Sequence, residues 1–244
     1  SATLAPFESF RKNCGLNRDL VIFAEGHAPW RDKAYNVAID CRVDTRLRLR
    51  DKYYETTANT VGQLSHFSPA VPVAVFFSSY QYADNVLAYL EAARPELRVL
   101  RQPRGVTLSE QKSFIEQGLL TADALFLVMG SSYAEGIDIM GGRINQIMIV
   151  GPALPEVNLV QKTKMAKYTE SSQEDAFTEI YIRPAMRRIH QALGRIVRAP
   201  GQSARVLLHG KRFAETVYQS ELATEYHTNL KIYKEEDLLN WLES

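Results

Sequence analysis

"ALFLVMGSSYAEGIDIMGG" occupies residues 124–142 and changes character in its middle. The unbroken apolar run from Ala124 to Met129 reads as a strand buried on both faces. Such strands belong to parallel sheets covered by helices on either side. Small residues follow: Gly130, Ser131, Ser132, Gly136, Gly141 and Gly142. Ligands of open α/β sheets bind beyond the carboxyl ends of strands, where this loop begins. Glycine lets a backbone approach a ligand closely, and Ser131 and Ser132 offer hydroxyls and amide N–H groups. Glu135 and Asp138 are the only acidic residues of the stretch. They can order a metal-bound water, hold a ribose or pair with arginines. A tight turn with one of them capping a helix is the plain alternative.

The same alternation runs outward in both directions. Further strands are expected at 20–25, 34–40, 73–79, 97–102, 146–151 and 204–209, with helical patterns near 51–66, 80–93, 108–119 and 174–198. Strands alternating with helices predict an α/β fold around a mainly parallel sheet. Residues 152–176, with Pro152, Pro155 and the polar "TESSQED", read as a long surface excursion. The tail "LKIYKEEDLLNWLES" reads as one more strand and a closing helix.

Bulk composition narrows the function classes. The chain has 244 residues, 45% hydrophobic and 23% charged, with net charge +1. That is ordinary globular composition, so any nucleic-acid binding must come from local clustering. Cys14 and Cys41 fit neither a disulfide framework nor a metal site and point to a reducing, intracellular compartment. No apolar run is long enough to span a bilayer, so no membrane partner is expected.

Local clustering is present in "HQALGRIVRAP", residues 190–200. Read as a helix over 185–198 with Gln191 at zero, Arg195 falls near +40° and Arg198 near −20°, at about 100° per residue. Ile189, Leu193, Ile196 and Val197 take the opposite side. Gly194 lies close to the polar face, at a cost of about 1 kcal/mol relative to alanine, which suggests that something approaches the backbone there. Pro200 and Gly201 end the helix. A solvated arginine face favoured by the helix dipole would give the same spacing. Residues 183–212, however, hold eight Lys/Arg and no Asp or Glu. A merely solvated face intersperses both signs, whereas an uncompensated cluster suits an anion, most simply phosphate. A third element, "VFFSSYQYADN" at 75–85, places Ser78, Ser79 and Tyr80 where a strand gives way to a helix. Hydroxyls and N–H groups at a helix start suit phosphate, and equally serve as caps.

The order of these segments resembles one family. "SATL" (1–4), "VFFSSY" (75–80), "SSYAEGIDIMGG" (131–142), "IVGPALP" (149–155) and "QALGRIVR" (191–198) look like motifs III, IV, V and VI of superfamily-two DNA helicases of the XPD/DinG type, at comparable spacing. The resemblance spans nearly the whole chain, and "AEGIDI" and "QALGRIVR" are its most specific parts. It implies a RecA-like, P-loop NTPase-type domain with ATP bound between two such domains. Residues 1–18 would be the motif III remnant and interdomain linker, and 19–244 the second motor domain. The absent initiator methionine fits a chain cut from a longer parent.

By this analogy Arg195 and Arg198 match the arginine fingers that reach the γ-phosphate, with Gln191 beside them. Glu135, Gly136 and Asp138 match the segment coupling nucleotide to DNA. Ser78, Ser79, Ser131 and Ser132 are candidates for single-stranded DNA phosphates, with Gln102 and Arg104 joining them and Tyr80 placed to stack a base. Two departures stand out. The family's Asp-x-Gly turn after the arginine motif is missing from "APGQSARVLLHGKRF" (199–213), and Gly210 replaces an aspartate before the basic-basic-Phe stretch.

The chain has no G-x-x-x-x-G-K-[ST] phosphate loop and no Asp-Glu box. ATP and Mg²⁺ are therefore expected to be held mainly by an N-terminal motor domain of the same parent. Any iron–sulfur cluster would also belong to that half. The resemblance implies a parent that hydrolyses ATP and moves 5′ to 3′ along single-stranded DNA in the cytoplasm (the nucleoid, if prokaryotic), and a fragment inactive alone. Two alternatives remain: a stand-alone non-catalytic RecA-like module that binds nucleic acid or regulates a partner motor, and an unrelated α/β enzyme using Glu135 and Asp138 as acid and base.

Overall fold

The computed structural model describes residues 6–26, 28–130, 139–168 and 172–244, with Lys167 described by its backbone alone. Seven strands form one sheet: β1 (Tyr35–Asp40), β2 (Val73–Phe77), β3 (Val99–Arg101), β4 (Ala124–Val128), β5 (Gln146–Val150), β6 (Ala204–His209) and β7 (Lys231–Ile232). Their order is β3-β4-β2-β5-β6-β1-β7, and every pairing is parallel. The helices are α1 (Phe7–Asn13), α2 (Tyr54–His66), α3 (Tyr80–Ala93), α4 (Leu108–Thr121), α5 (Leu159–Lys167), α6 (Gln173–Phe177), α7 (Arg183–Leu193), α8 (Thr216–Gln219) and α9 (Glu235–Glu243).

Each strand alternates its side chains between two cores. On one face Ile39, Phe76, Leu127, Ile149 and Leu208 pack with Ile115 of α4 and with Met186, Ile189 and Leu193 of α7. On the other, Val75, Phe77, Phe126, Met148 and Leu207 meet Leu64 of α2, Val86 and Leu90 of α3 and Trp241 of α9. Burial on both faces explains why β2 and β4 are apolar throughout and β5 is apolar after Gln146. Local signals agree with the packing. Thr107 and Glu110 form a capping box that starts α4, and Trp241 donates to Asn36 Oδ1 at 2.8 Å, tying α9 to β1.

Three expectations need correction. Residues 20–25 form no strand: Leu20 and Ile22 are 82% and 95% exposed. β1, the first strand, is already paired by β6 and β7 on its two sides, so this apolar run has no edge there to join. The excursion over 152–176 carries helix of its own, with Asn158 capping α5 and Ser172 capping α6. The helix expected over 174–198 ends at Leu193; Arg195 lies in the turn after it and Arg198 in the irregular chain beyond. A π-helical turn, Thr178–Ile182, joins α6 to α7 just before Pro184. Proline lacks an N–H and crowds the carbonyl four residues back, and a widened turn relieves both.

His190 is largely buried, its ring stacked on Tyr226 with centroids 5.8 Å apart. Its Nε2 accepts the Ala223 N–H at 3.1 Å, which requires that nitrogen to be unprotonated. Desolvation pushes its pKa down to about 4, against the pull of Glu225 and Glu221. The unfolded chain therefore binds a proton that the fold refuses, and stability drops as pH falls from about 6.5 towards 4. Urea melts across that window should show His190→Gln losing this pH dependence, which is worth up to about 3 kcal/mol in the wild type.

Candidate functional site

The chemistry-bearing residues collect on the face that α7 covers and along both edges of the sheet. At the carboxyl edge, Met129 N–H donates to Phe77 O at 2.9 Å, which prolongs the β2–β4 pairing to the point where both chains leave the sheet. Ser78 and Ser79 follow β2, and Gly130 follows β4. Gly130 has φ +76°, and a Cβ there would lie 3.2 Å from the Arg188 guanidinium carbon. Arg188 also donates to Ala153 O at 3.5 Å. One cation of α7 thus lies under the start of the 130–142 loop and beside the "IVGPALP" turn.

The loop does not stay at the carboxyl edge. Met140 and Ile144 are buried in the α7-side core, so the chain crosses that face before entering β5 from the opposite edge. There it meets the arginine segment. Gly142 N–H donates to Ile196 O at 2.8 Å. Gln202 Oε1 accepts the backbone N–H of Arg198 at 2.7 Å and of Ala199 at 3.1 Å. Gly142 has φ +69°, and a Cβ on it would fall 2.3 Å from Gln202 Nε2. Tyr35, the first residue of β1, donates its hydroxyl to Leu193 O at 3.0 Å, which fixes the end of α7 at the amino edge.

The expected polarity of 185–198 is present although the helix is shorter. Ile189, Leu193, Ile196 and Val197 are buried. Gln191 and Arg198 are exposed and Arg195 is half-buried. Gly194 caps α7 in a helical conformation. A Cβ there would meet His190 O at 2.9 Å, with Arg31 and Tyr226 next nearest. What approaches that backbone is the chain itself.

The other expected residues fare differently. Ser79 is the N-cap of α3, its hydroxyl accepting from Tyr82 N–H at 3.3 Å. Ser78 is half-buried beside it. Gln102 is fully buried. Its Oε1 accepts from Val128 N–H at 2.8 Å and its Nε2 donates to Tyr80 Oη at 2.7 Å. It has no surface to offer a nucleic acid and instead holds Tyr80 in place, a correction to its expected role. The guanidinium of Arg104 lies 4.5 Å from the Tyr80 ring centroid, so that face of the ring is already covered. Asp84 receives both Arg101, at 2.7 Å, and Arg104, at 3.6 Å. Ser131, Ser132, Glu135, Gly136 and Asp138 lie outside the described residues.

Two further features carry no local sequence signal. Gln202, four residues past Arg198, clamps the loop end. At the carboxyl ends of β1 and β6, Asp40 and His209 are both fully buried, with Oδ2 and Nδ1 2.8 Å apart. Arg42 donates to the same carboxylate at 2.9 and 2.8 Å. Burial raises the Asp40 pKa, but the charge of His209 and the hydrogen bonds of Arg42 outweigh it and hold the carboxyl well below its usual range. The Gly210 departure lies next to this pair. Gly210 has φ +146° and faces Thr45, while Lys211 reaches Asp44 at 3.0 Å. A carboxylate from the loop after β1 thus meets the basic stretch.

Comparison with known proteins follows the same lines. Residues 63–229 match the helicase C-terminal domain family. ATP-dependent DNA helicase CHL1 of Candida albicans is 25% identical over 172 residues, covering 62% of this chain and 20% of that protein. ATP-dependent DNA helicase DDX11 of Danio rerio is 24% identical over 186 residues, covering 66% and 20%. ATP-dependent DNA helicase DinG of Photobacterium profundum is 26% identical over 153 residues, covering 61% and 22%. This chain therefore spans about a fifth of the length of these relatives. A solved XPD helicase structure superposes with TM-score 0.74 at 22% identity over 95% of this chain and 42% of its own. A second, of apo XPD, gives 0.72 at 21% over 94% and 47%. At that identity the likeness speaks for the fold, a RecA-like helicase domain.

The seam at Gly142 can be tested directly. Gly142→Ala forces a left-handed backbone on a residue with a Cβ and displaces the Gln202 amide. The variant should lose about 1–3 kcal/mol of stability in urea titrations, and Gln202→Ala should lose part of the same energy rather than an additive amount.

Proposed function

The chain belongs to the helicase C-terminal domain family, and from that premise we propose that it is the second motor domain of an ATP-dependent DNA helicase of the XPD/DinG type. In this reading residues 1–18 carry the crossing segment from the first motor domain and residues 19–244 form the second. The supporting observation is the outward set of Gln191, Arg195 and Arg198, with the apolar side of the same segment anchored in the core.

ATP lies between the two motor domains. Arg195 and Arg198 approach its γ-phosphate from this side, with Gln191 beside them. Phosphoryl transfer spreads negative charge over the equatorial oxygens, and a positioned guanidinium stabilises that charge by about a thousand- to hundred-thousand-fold in rate. Guanidinium groups suit phosphate oxygens and repel a divalent cation. Among the described residues no group of three or more His, Cys, Asp or Glu could hold a metal ion. The Mg²⁺ that accompanies ATP is assigned, with the phosphate loop, to the first motor domain. Glu135, Gly136 and Asp138 couple this nucleotide side to the DNA. The loop that bears them starts against Arg188 and ends on Ile196, so a shift of the arginine segment has a covalent and hydrogen-bonded route to the opposite edge.

The DNA track follows the carboxyl edge. Ser78, Ser131, Ser132 and Arg104 are assigned to single-stranded DNA phosphates, with Ser79 adding the start of α3 and Tyr80 positioned by Gln102. The arginine segment and the hydroxyls of Ser78 and Ser79 lie at opposite ends of the strands, which supports a nucleotide side and a DNA side linked through the chain between β4 and β5.

Two measurements check the reading. The chain alone should show no DNA-stimulated ATP hydrolysis. Rejoined to the first motor domain, it should hydrolyse ATP, and Arg198→Ala should lower kcat at least about a hundred-fold with little change in DNA affinity. An ATPase in the isolated chain that survives Arg195→Ala, or equal rates for Arg198→Ala and wild type, would remove the finger role.

A further inference from the structure

One cation of the carboxyl edge is held by a buried support. The support begins at Gln102, fully buried just beyond β3. Val128 N–H can only donate, and Gln102 Oε1 accepts it at 2.8 Å. That contact fixes which way the amide points, so Nε2 faces Tyr80 Oη and donates to it at 2.7 Å. The Tyr80 hydroxyl gives its own proton to Pro103 O at 3.4 Å. The Tyr80 ring is thereby tied through Gln102 to the end of β4, where the 130–142 loop begins.

Arg104 rests on this ring. It follows Pro103, whose φ is fixed, and precedes Gly105, at φ +65°. Its guanidinium carbon lies 4.5 Å over the Tyr80 centroid, and its Nη2 meets Asp84 at 3.6 Å. Asp84 stands one helical turn after Tyr80 on the same face of α3 and is itself held by Arg101 at 2.7 Å. Ring and carboxylate hold the guanidinium from two directions, yet 60% of the Arg104 side chain stays exposed. The side away from the ring is what remains for a ligand. A guanidinium is planar, weakly hydrated and stacks on aromatic faces, so one seated on a ring can receive a second ring. A phosphate at its edge is opposed by the Asp84 charge beside it. A neutral nucleobase over its face is not.

We propose that Arg104 stacks an unpaired nucleobase of single-stranded DNA, and that Gln102, acting through Tyr80, is the residue that positions it. The proposal rests on the DNA track proposed for the carboxyl edge and adds a base to the phosphate assigned to Arg104 there. The two contacts are compatible, because the N–H groups lie in the guanidinium plane and the base lies over it. Stacking tolerates any sequence, since every base has a π face, and this suits a motor that moves along a strand.

The test is fluorescence-anisotropy titration of the 244-residue chain, at low salt, with an oligothymidylate and with a strand of equal length whose sugars are abasic. The wild type should bind the thymidylate at least about five-fold tighter. Arg104→Lys keeps the charge and loses the plane. It should remove most of that preference, while the slope of log affinity against log salt, which counts phosphate contacts, stays the same. Tyr80→Phe keeps the ring and loses the hydroxyl on which Gln102 acts. It should at least halve the preference, again at constant slope, whereas a variant that merely loosens the fold weakens both strands alike. Arg104→Lys retaining or raising the preference would put the base on Tyr80 or elsewhere, and a full preference in Tyr80→Phe would remove the positioning role. Either result overturns the proposal. Equal wild-type affinity for the two strands would overturn the stacking and leave the DNA track standing. No binding to either strand would remove the track, and the proposal with it.

Discussion

The burial of Ile189, Leu193, Ile196 and Val197 against the sheet holds the rest of the arrangement in place. Each contributes about 1.5–3 kcal/mol by leaving water, against about 1 kcal/mol for the glycine between them. That margin fixes the rotation of the segment about its own axis. With the apolar side anchored, Gln191, Arg195 and Arg198 have only the outer side left. The core behind the segment sets this direction.

The same core connects the two edges of the sheet. A parallel sheet must return its chain across a face between strands, and here the return from β4 to β5 crosses beneath α7. Met140 and Ile144 are buried on the way, Gly130 lies against Arg188, and Gly142 lies against Ile196 and Gln202. Both glycines have positive φ and both are crowded by side chains of the arginine element. Glycine is required at these points because the chain packs on itself, whereas the composition of the loop suggested room for a ligand.

Much of the fold was legible in advance. Largely apolar runs within 73–79, 124–129 and 146–151 signal strands buried on both sides, and an α/β layout around a mainly parallel sheet follows from their alternation with helices. The apolar and polar sides of 185–198 were legible too, because side-chain direction follows periodicity even through the irregular turns after Leu193. The run at 20–25 misled for the opposite reason. Apolar character makes a strand only where an edge is available to pair with it, and edges belong to the assembled sheet. Gln102 misled because a polar residue beyond a strand end looks exposed in one dimension. Only the packed loops show it enclosed, bonded to Val128 and Tyr80.

The sequence by itself determined the alternation of strands and helices, the outward set of Gln191, Arg195 and Arg198, and the order of motifs that marks the family. These depend on residue type and short-range spacing, which the chain carries before it folds. The tertiary structure alone decided that the arginine segment and the carboxyl-edge hydroxyls sit at opposite edges. It alone brought Asp40 to His209, 169 residues apart. Those relations arise from strand order and loop crossings, in which residues remote in the chain become neighbours through contacts that no local pattern encodes.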